Sequence, residues 1–245
     1  MRTPAALAAA AVALRATLLP PTAPAQTHFV PSAVEPAKQS SHLVSRQVMI
    51  VAGLLFAGAV MGDQEFQEET QEGRDGLTNS AARMGNTFGD WRFIVPALTT
   101  VYVAGDIAGS SGVKRTAVQA AASAVLATAI AGGLKYAAGR TRPYAARTSF
   151  DFHPFSGASS FPSGHTAVAF ALATAVADQT RDGWSDYVLY GAATLTALSR
   201  INDNKHWASD VLVGGLVGHL SARWVTRRMA PLEVTPAGLS VHLRF

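Results

Sequence analysis

Six apolar stretches, rich in Ala, Leu, Val and Gly, constrain this chain of 245 residues more than any other feature. Their length and composition predict an α-helix for each of them. The only proline within them is Pro96, near the start of the second stretch. The stretches cover approximately residues 48–62, 93–106, 116–134, 166–177, 187–198 and 209–222. We therefore expect an all-α fold, a six-helix bundle.

The composition excludes several classes of protein. Apolar residues make up 49% of the chain and charged residues 15%, against about 25% charged residues in a typical globular domain, so a disordered chain is excluded. The absence of cysteine excludes a disulfide framework, a thiolate metal site and a cysteine nucleophile. The formal net charge of +4 suits an anionic partner. No clustered Lys/Arg stripe or nucleic-acid-binding module is present, so we expect a phosphorylated small molecule or lipid rather than nucleic acid.

The two ends of the chain differ from its centre. Met1-Arg2, an apolar run to Leu19 and the small residues around Ala25 predict a signal peptide over residues 1–25. Residues 26–45 are rich in Pro, Ser, Thr and Ala and predict a linker, followed by a helical domain over residues 46–228. In the tail, residues 229–245, strict alternation on both sides of a Pro-x-Gly turn predicts a small β-hairpin.

An acidic run over residues 63–75 separates the first two predicted helices. We interpret it as a solvated helix face or loop. A lid over a cationic pocket is the alternative.

Three clusters of polar and charged residues occur at the ends of the predicted helices. They are Lys135 with Arg142-Pro143, Pro162-Ser163-Gly164-His165, and Ser199-Arg200 with His206 and Asp210. Successive helices of an up-down bundle alternate in direction. The carboxyl ends of the third and fifth helices therefore lie beside the amino ends of the fourth and sixth, and we expect all three clusters at one end of the bundle.

The residue types in these clusters are those of a phosphate site. Lys135, Arg142 and Arg200 bring three cations together, and Arg in particular matches the geometry of phosphate. Ser163 and Gly164 stand at the start of a helix, where backbone N–H groups favour anions. Arg140 and Arg147 flank the first cluster, and we expect them only to strengthen the positive field.

Two histidines face the predicted phosphate site. His206 and Asp210 are four residues apart and would share a helix face. A carboxylate on one imidazole nitrogen fixes the tautomer and leaves the other nitrogen free to attack. His165 supplies a second imidazole that can donate a proton. No group of His, Asp and Glu has a recognisable metal-ligand spacing, so we expect no metal and no cofactor.

The three clusters together resemble the signature of the type 2 phosphatidic acid phosphatase superfamily, which includes bacterial acid phosphatases, membrane lipid phosphatases and vanadium-dependent haloperoxidases. The resemblance extends over roughly residues 93–222. It implies the helical bundle of the acid phosphatase and vanadium haloperoxidase type. It also implies that His206 is phosphorylated, that Asp210 orients it, and that His165 protonates the leaving alkoxide and later activates water. Lys135, Arg142, Ser163, Gly164 and Arg200 would then bind the phosphoryl oxygens.

We therefore expect a metal-independent phosphatase that acts on soluble or lipid phosphomonoesters through a phosphohistidine. A vanadium-dependent haloperoxidase, with vanadate as cofactor rather than inhibitor, and a non-enzymatic anion-binding scaffold are the alternatives.

The expected location is the periplasm, in a soluble or peripheral form. A cleaved signal peptide would leave residues 26–45 outside, so a membrane-spanning first helix would turn the three clusters towards the cytoplasm. Only the third apolar stretch approaches the roughly 20 residues that a bilayer span needs. An integral inner-membrane phosphatase of lipid phosphates or pyrophosphates, with a misassigned signal peptide, is the alternative.

Overall fold

The computed structural model describes residues 46–180, 183–229, 232–235 and 238–241. Seven helices and two short strands lie in this part of the chain. The helices are α1 (Arg46–Glu72), α2 (Gly76–Thr87), α3 (Trp91–Ile107), α4 (Ser111–Ala138), α5 (Gly164–Thr180), α6 (Gly183–Asn202) and α7 (Ala208–Arg228). The expected signal peptide and linker, residues 1–45, lie outside the described residues.

The prediction of six helices is wrong because it omits α2. This helix has no run of large apolar residues, and its start depends on a local hydrogen-bond pattern instead. The Asp75 carboxylate accepts the N–H of Thr78 at 2.7 Å, and the Thr78 hydroxyl accepts the N–H of Asp75 at 2.9 Å. Such reciprocal capping satisfies two backbone donors that a helix start leaves without partners.

The acidic run is largely the last part of α1, which continues to Glu72. Glu65, Glu68 and Glu69 are exposed, as expected of a solvated helix face. Asp63 and Gln67, by contrast, are buried against the rest of the protein. The run therefore has one solvated and one buried face.

Two strands follow the last helix: β1 (Leu232–Thr235) and β2 (Gly238–Val241). They pair antiparallel, with Leu232 opposite Val241 and Thr235 opposite Gly238. The turn residues 236–237 and residues 242–245 lie outside the described part of the chain.

The core of the bundle surrounds α5, which packs against α4, α6 and α7. Nearly all of the buried side chains there are small. On α5 they are Thr166, Ala167, Val168, Ala169, Ala171, Ala173, Thr174, Ala175 and Ala177. Side chains of this size let helix backbones approach closely, and small residues are typical of interfaces between helices in membranes.

Two glycines set the contact between α7 and α5. A Cβ atom at Gly214 would lie 2.5 Å from the carbonyl oxygen of Ser163, and one at Gly218 would overlap the carbonyl oxygen of Ala167. The two glycines are four residues apart and so face α5 together. This contact brings the start of α7 against the start of α5.

We expect Gly218→Ala to lower the free energy of unfolding by about 2 kcal/mol, because the added methyl group would force α7 away from α5. Gly191 in α6 provides a matched control, since a Cβ atom there would meet nothing within 4 Å. Gly191→Ala should raise stability slightly, because Gly is unfavourable within a helix. Thermal unfolding of the two variants tests this, and equal changes in Tm would contradict the packing argument.

Large apolar side chains lie on the outside of the described helices. On α7, Leu212, Leu216, Leu220 and Trp224 recur every four residues and are all more than half exposed. Phe93, Val95, Val103 and Ile107 on α3, Val125 and Ile130 on α4, and Tyr187 and Val188 on α6 are also exposed. Among the described helices, α4 alone has the length and apolar composition of a membrane span.

Candidate active site

The carboxyl ends of α4 and α6 and the amino ends of α5 and α7 meet at one end of the bundle. Backbone hydrogen bonds fix this arrangement: the N–H of Ser163, just before α5, donates to the carbonyl oxygen of Asp210 in α7 at 2.9 Å. The structure thus brings the three sequence clusters into one site.

His206 lies in the short loop between α6 and α7 and is almost completely buried. Its Nδ1 atom is 3.6 Å from Oδ2 of Asp210 and makes no hydrogen bond. Such contacts are often long before substrate binds. Burial lowers the pKa of His206 to about 4, an effect that Lys135 and Arg200 reinforce and that Asp210 opposes. The imidazole is therefore neutral at pH 7, with a lone pair available for attack.

Asp210 is held by several donors. It is the third residue of α7, and its Oδ2 atom accepts the N–H of Trp207 at 3.0 Å, which caps the helix start. The same oxygen accepts the hydroxyl of Ser160, and Oδ1 accepts Nη1 of Arg140 at 2.7 Å. The carboxylate is fully buried and its orientation is fixed.

Lys135, in the last turn of α4, donates its ammonium group to backbone carbonyls. Its Nζ atom lies 2.6 Å from the oxygens of Ser159 and Pro162 and 3.4 Å from that of Ser160. In this arrangement Lys135 shapes the loop that leads into α5. The backbone N–H of Ser163, expected to face phosphate, is used by Asp210, which leaves the Ser163 hydroxyl and the Gly164 N–H for that role.

Arg142 and Arg200 retain unused donors. Nη2 of Arg142 donates to the Ser159 hydroxyl at 3.1 Å, and Nη1 of Arg200 donates to Oδ1 of Asn86 at 2.6 Å. The Nε atoms of both guanidinium groups are buried without a hydrogen bond. Buried donors without partners are costly, so both groups are suited to receive an anion.

His165 is the second residue of α5 and is partly buried at the same site. Gly89, between α2 and α3, packs tightly on it: a Cβ atom at Gly89 would lie 2.8 Å from the carbonyl oxygen of His165. His165 thus belongs to α5, whereas His206, the candidate nucleophile, belongs to the loop between α6 and α7.

Three residues that contact the catalytic clusters were not assigned to the site by the sequence: Asn86, Arg140 and Ser160. Asp63 was not assigned either, and it contacts Arg140 and Ser209. The expectation that Arg140 only strengthens the positive field is wrong, because its guanidinium is fully buried and bonded to Asp210. Asp63 had a usable signal, since Asp63, Gln67 and Gln71 recur every four residues and define the inward face of α1.

Asn86, the penultimate residue of α2, holds the α6 end of the site. Its Oδ1 atom accepts hydrogen bonds from Nη1 of Arg200 and from the Ser199 hydroxyl at 3.0 Å, and its Nδ2 atom donates to Asp203 at 2.8 Å. One amide thus fixes both residues of the Ser-Arg pair.

We expect Asn86→Ala to weaken inhibition by vanadate about tenfold, because Arg200 loses the acceptor that holds its guanidinium, a loss of about 1.4 kcal/mol. Ser80→Ala is the control on the same helix, since the hydrogen bonds of Ser80, to Gly76 and Arg83, lie within α2. Inhibition constants measured for both variants test the prediction, and equal values would contradict it.

In residues 46–180 and 183–229, no group of three or more His, Cys, Asp or Glu side chains is placed to hold a metal ion.

Residues 116–232 match the model of the PAP2 superfamily. This part of the chain is therefore a PAP2 superfamily domain, which confirms the resemblance found in the motifs. A lipid A 1-phosphatase of Porphyromonas gingivalis is 42% identical over 104 residues, which cover 40% of this chain and 21% of that protein. The chain thus spans about a fifth of the length of this curated relative.

Two solved structures share the fold. LpxE of Aquifex aeolicus aligns with a TM-score of 0.55 and 23% identity, over 66% of this chain and 93% of that one. A transmembrane PAP2-type phosphatidylglycerolphosphate phosphatase from Bacillus subtilis aligns with a TM-score of 0.55 and 16% identity, over 74% of this chain and 95% of that one.

Proposed function

We propose that this chain is a membrane-spanning phosphatase that hydrolyses a lipid phosphate through a phosphohistidine on His206. The observation that carries this proposal is a buried imidazole beside a fixed carboxylate, in a site that also contains two arginines with unused donors. That site lies at one end of helices whose outer faces are apolar.

In the first step, Nε2 of His206 attacks the phosphorus atom in line with the ester oxygen. An N–P bond forms, the P–O bond to the lipid breaks, and His165 transfers a proton to the leaving alkoxide. Asp210 stabilises the positive charge that develops on His206. Arg142 and Arg200 stabilise the charge on the phosphoryl oxygens.

In the second step, His165, now neutral, takes a proton from water. The resulting nucleophile attacks phosphorus, the N–P bond breaks, and inorganic phosphate leaves. His206 returns to its neutral form and His165 is again protonated. Each role is filled by a side chain of this protein, and we propose that the reaction needs no metal.

The distribution of charge supports a location in the bilayer. The centres of five helices contain no Asp, Glu, Lys or Arg: residues 93–105, 116–134, 166–177, 187–199 and 211–222. Charges are therefore confined to the two ends of the bundle, separated by a neutral band roughly 20 Å thick at 1.5 Å per residue. Monomers in water rarely expose apolar surface on so many elements.

The packing supports the same location. Large apolar residues face outward, whereas the helix interfaces contain mainly Ala and Gly. In lipid, helices associate through close contact of small residues, because apolar side chains gain little by leaving the lipid. We therefore replace the expected soluble periplasmic form by the inner-membrane alternative.

This location requires a particular orientation. The carboxyl end of α1 lies at the catalytic end, since Gln67 donates to the carbonyl oxygen of Ile201 at 3.2 Å. If residues 1–45 stay on the cytoplasmic side, with no segment before α1 crossing the bilayer, α1 crosses outward and the site faces the periplasm. The names of the relatives, a lipid A 1-phosphatase and a phosphatidylglycerolphosphate phosphatase, support a lipid phosphate as substrate.

The test combines fractionation with an activity assay on the full chain. We expect the protein to remain with membranes after alkaline carbonate washing and to release phosphate from phosphatidic acid in mixed micelles containing EDTA. His206→Ala is the control for contaminating phosphatase.

A protein that is fully soluble without detergent would overturn the membrane location, and the apolar surface would then be an interface between copies. Loss of activity in EDTA that is restored by a divalent cation would overturn the metal-independent mechanism. Activity equal to that of wild type in His206→Ala would overturn the assignment of the nucleophile.

A further inference from the structure

Asp63 is a fully buried carboxylate in α1 that lies outside the matched residues 116–232. Its Oδ1 atom accepts the N–H of Ser209 at 2.8 Å, and its Oδ2 atom accepts the Ser209 hydroxyl and Nη2 of Arg140 at 2.8 Å. The first residue of the acidic run therefore reaches the helix that contains Asp210.

Arg140 lies between two carboxylates. Its Nη2 atom binds Asp63, while its Nη1 atom binds Oδ1 of Asp210 at 2.7 Å. The rings of Phe152 and Trp207 flank the guanidinium at 5.0 Å and 5.3 Å, and its exposed fraction is 0%. Water therefore screens neither ion pair.

This cluster has two negative charges and one positive charge. Because Asp63 and Asp210 share a single guanidinium, the cluster keeps one net negative charge beside His206. Without Asp63, the full charge of Arg140 would act on Asp210, and the carboxylate would stabilise an imidazolium less well.

We propose that Asp63 is a positioning residue for the nucleophile: by binding Nη2 of Arg140, it keeps Asp210 negative enough to stabilise positive charge on His206. The proposal rests on the proposed role of His206 as nucleophile. It assigns a function to a residue that none of the three motif clusters contains.

The other charged or titratable groups around His206 are mainly cationic. Lys135 of α4 and Arg200 of α6 act on His206 directly. Around His165 of α5 lie these two cations, Lys205 and the carboxylate of Asp90 before α3, and Arg142 lies near Lys135 and Arg200. Since these groups are unchanged in a variant at Asp63, a change in pH dependence reports on the Asp63–Arg140–Asp210 cluster.

The decisive measurement is the pH profile of kcat/KM for a soluble aryl phosphate. Asp63→Asn keeps the shape of the side chain and removes its charge. We expect kcat to fall roughly tenfold, by analogy with the lower end of what loss of an outer partner costs at metal-bound histidines. We also expect the acidic limb of the profile to move to lower pH, because an imidazolium with less negative charge nearby loses its proton more readily.

The double variant Asp63→Asn with Arg140→Gln should move the acidic limb in the opposite direction. It removes the positive charge that contacts Asp210 directly as well as the more distant negative charge, so Asp210 acts on His206 at full strength. Replacing both members of a buried ion pair also avoids an isolated buried charge. The double variant therefore decides the matter if the single variant does not fold.

Ser209→Ala is the control for a purely structural role. It removes the hydroxyl that bonds to Asp63 and to Arg140 at 2.7 Å, but it changes no charge. We expect its acidic limb to coincide with that of wild type. Identical limbs in all variants would overturn the proposal for Asp63 and leave the mechanism intact, whereas a fully active His206→Ala variant would overturn the mechanism itself.

Discussion

His206→Ala should lose at least about 10⁴-fold in kcat, because no covalent intermediate can form without the imidazole. Other residues form the phosphate cradle, by which we mean the groups proposed to bind the phosphoryl oxygens. Arg142 and Arg200 keep their buried Nε donors, and Ser163 and Gly164 are unaffected. The variant should therefore still bind vanadate or phosphate measurably.

Two measurements test this prediction together. Phosphate release from phosphatidic acid reports turnover, and calorimetric titration with vanadate reports the cradle. Loss of vanadate binding together with turnover would indicate a collapsed site rather than a missing nucleophile. Asp210→Asn should give a smaller loss of kcat, because the imidazole remains and only its charge partner is gone.

His165→Ala should have an effect that depends on the leaving group. A lipid alkoxide needs a proton to leave, so its release should fall by about 10²- to 10⁴-fold. An aryl phosphate has a good leaving group and should still phosphorylate His206. Hydrolysis of the N–P bond should then be slow, because the base that activates water is missing.

Rapid-quench kinetics with p-nitrophenyl phosphate check this prediction. We expect a burst of p-nitrophenol, followed by slow turnover, and an acid-labile, base-stable phosphate on the protein. The double variant His165→Ala with His206→Ala should show no burst and no bound phosphate. Equal losses for aryl and lipid phosphates, with no burst, would remove His165 from both roles.

The parts of the site that lie at helix ends could be predicted from the sequence. The order and direction of the helices are enough to place Lys135, Ser163 and Asp210 at the same end, because each lies at or near the end of a long apolar stretch. The sequence was less informative where a helix lacks such a stretch. The small, polar α2 begins at a capping pattern, and both Asn86 and the helix itself were missed.

The roles of Arg140 and Asp63 depend on their burial, which the sequence pattern did not predict. Arg140 and Asp63 are charged, and charged residues in a sequence are expected in water. Only the tertiary structure shows that α1 brings Asp63 to Arg140 and that the rings of Phe152 and Trp207 flank the guanidinium of Arg140. Because Asp63 and Arg140 are 77 positions apart, no local sequence pattern predicts that they pair.

The chain by itself determined the family, the all-helical class and the residues of the three clusters, since these depend on residue types, on spacing and on the length of the apolar stretches. The tertiary structure decided the rest: which charges are buried together, which donors stay free for an anion, and which helix faces point outward. The physical reason is that these properties depend on contacts between distant elements. Small residues within the bundle and large apolar residues outside it become visible only once the helices are packed.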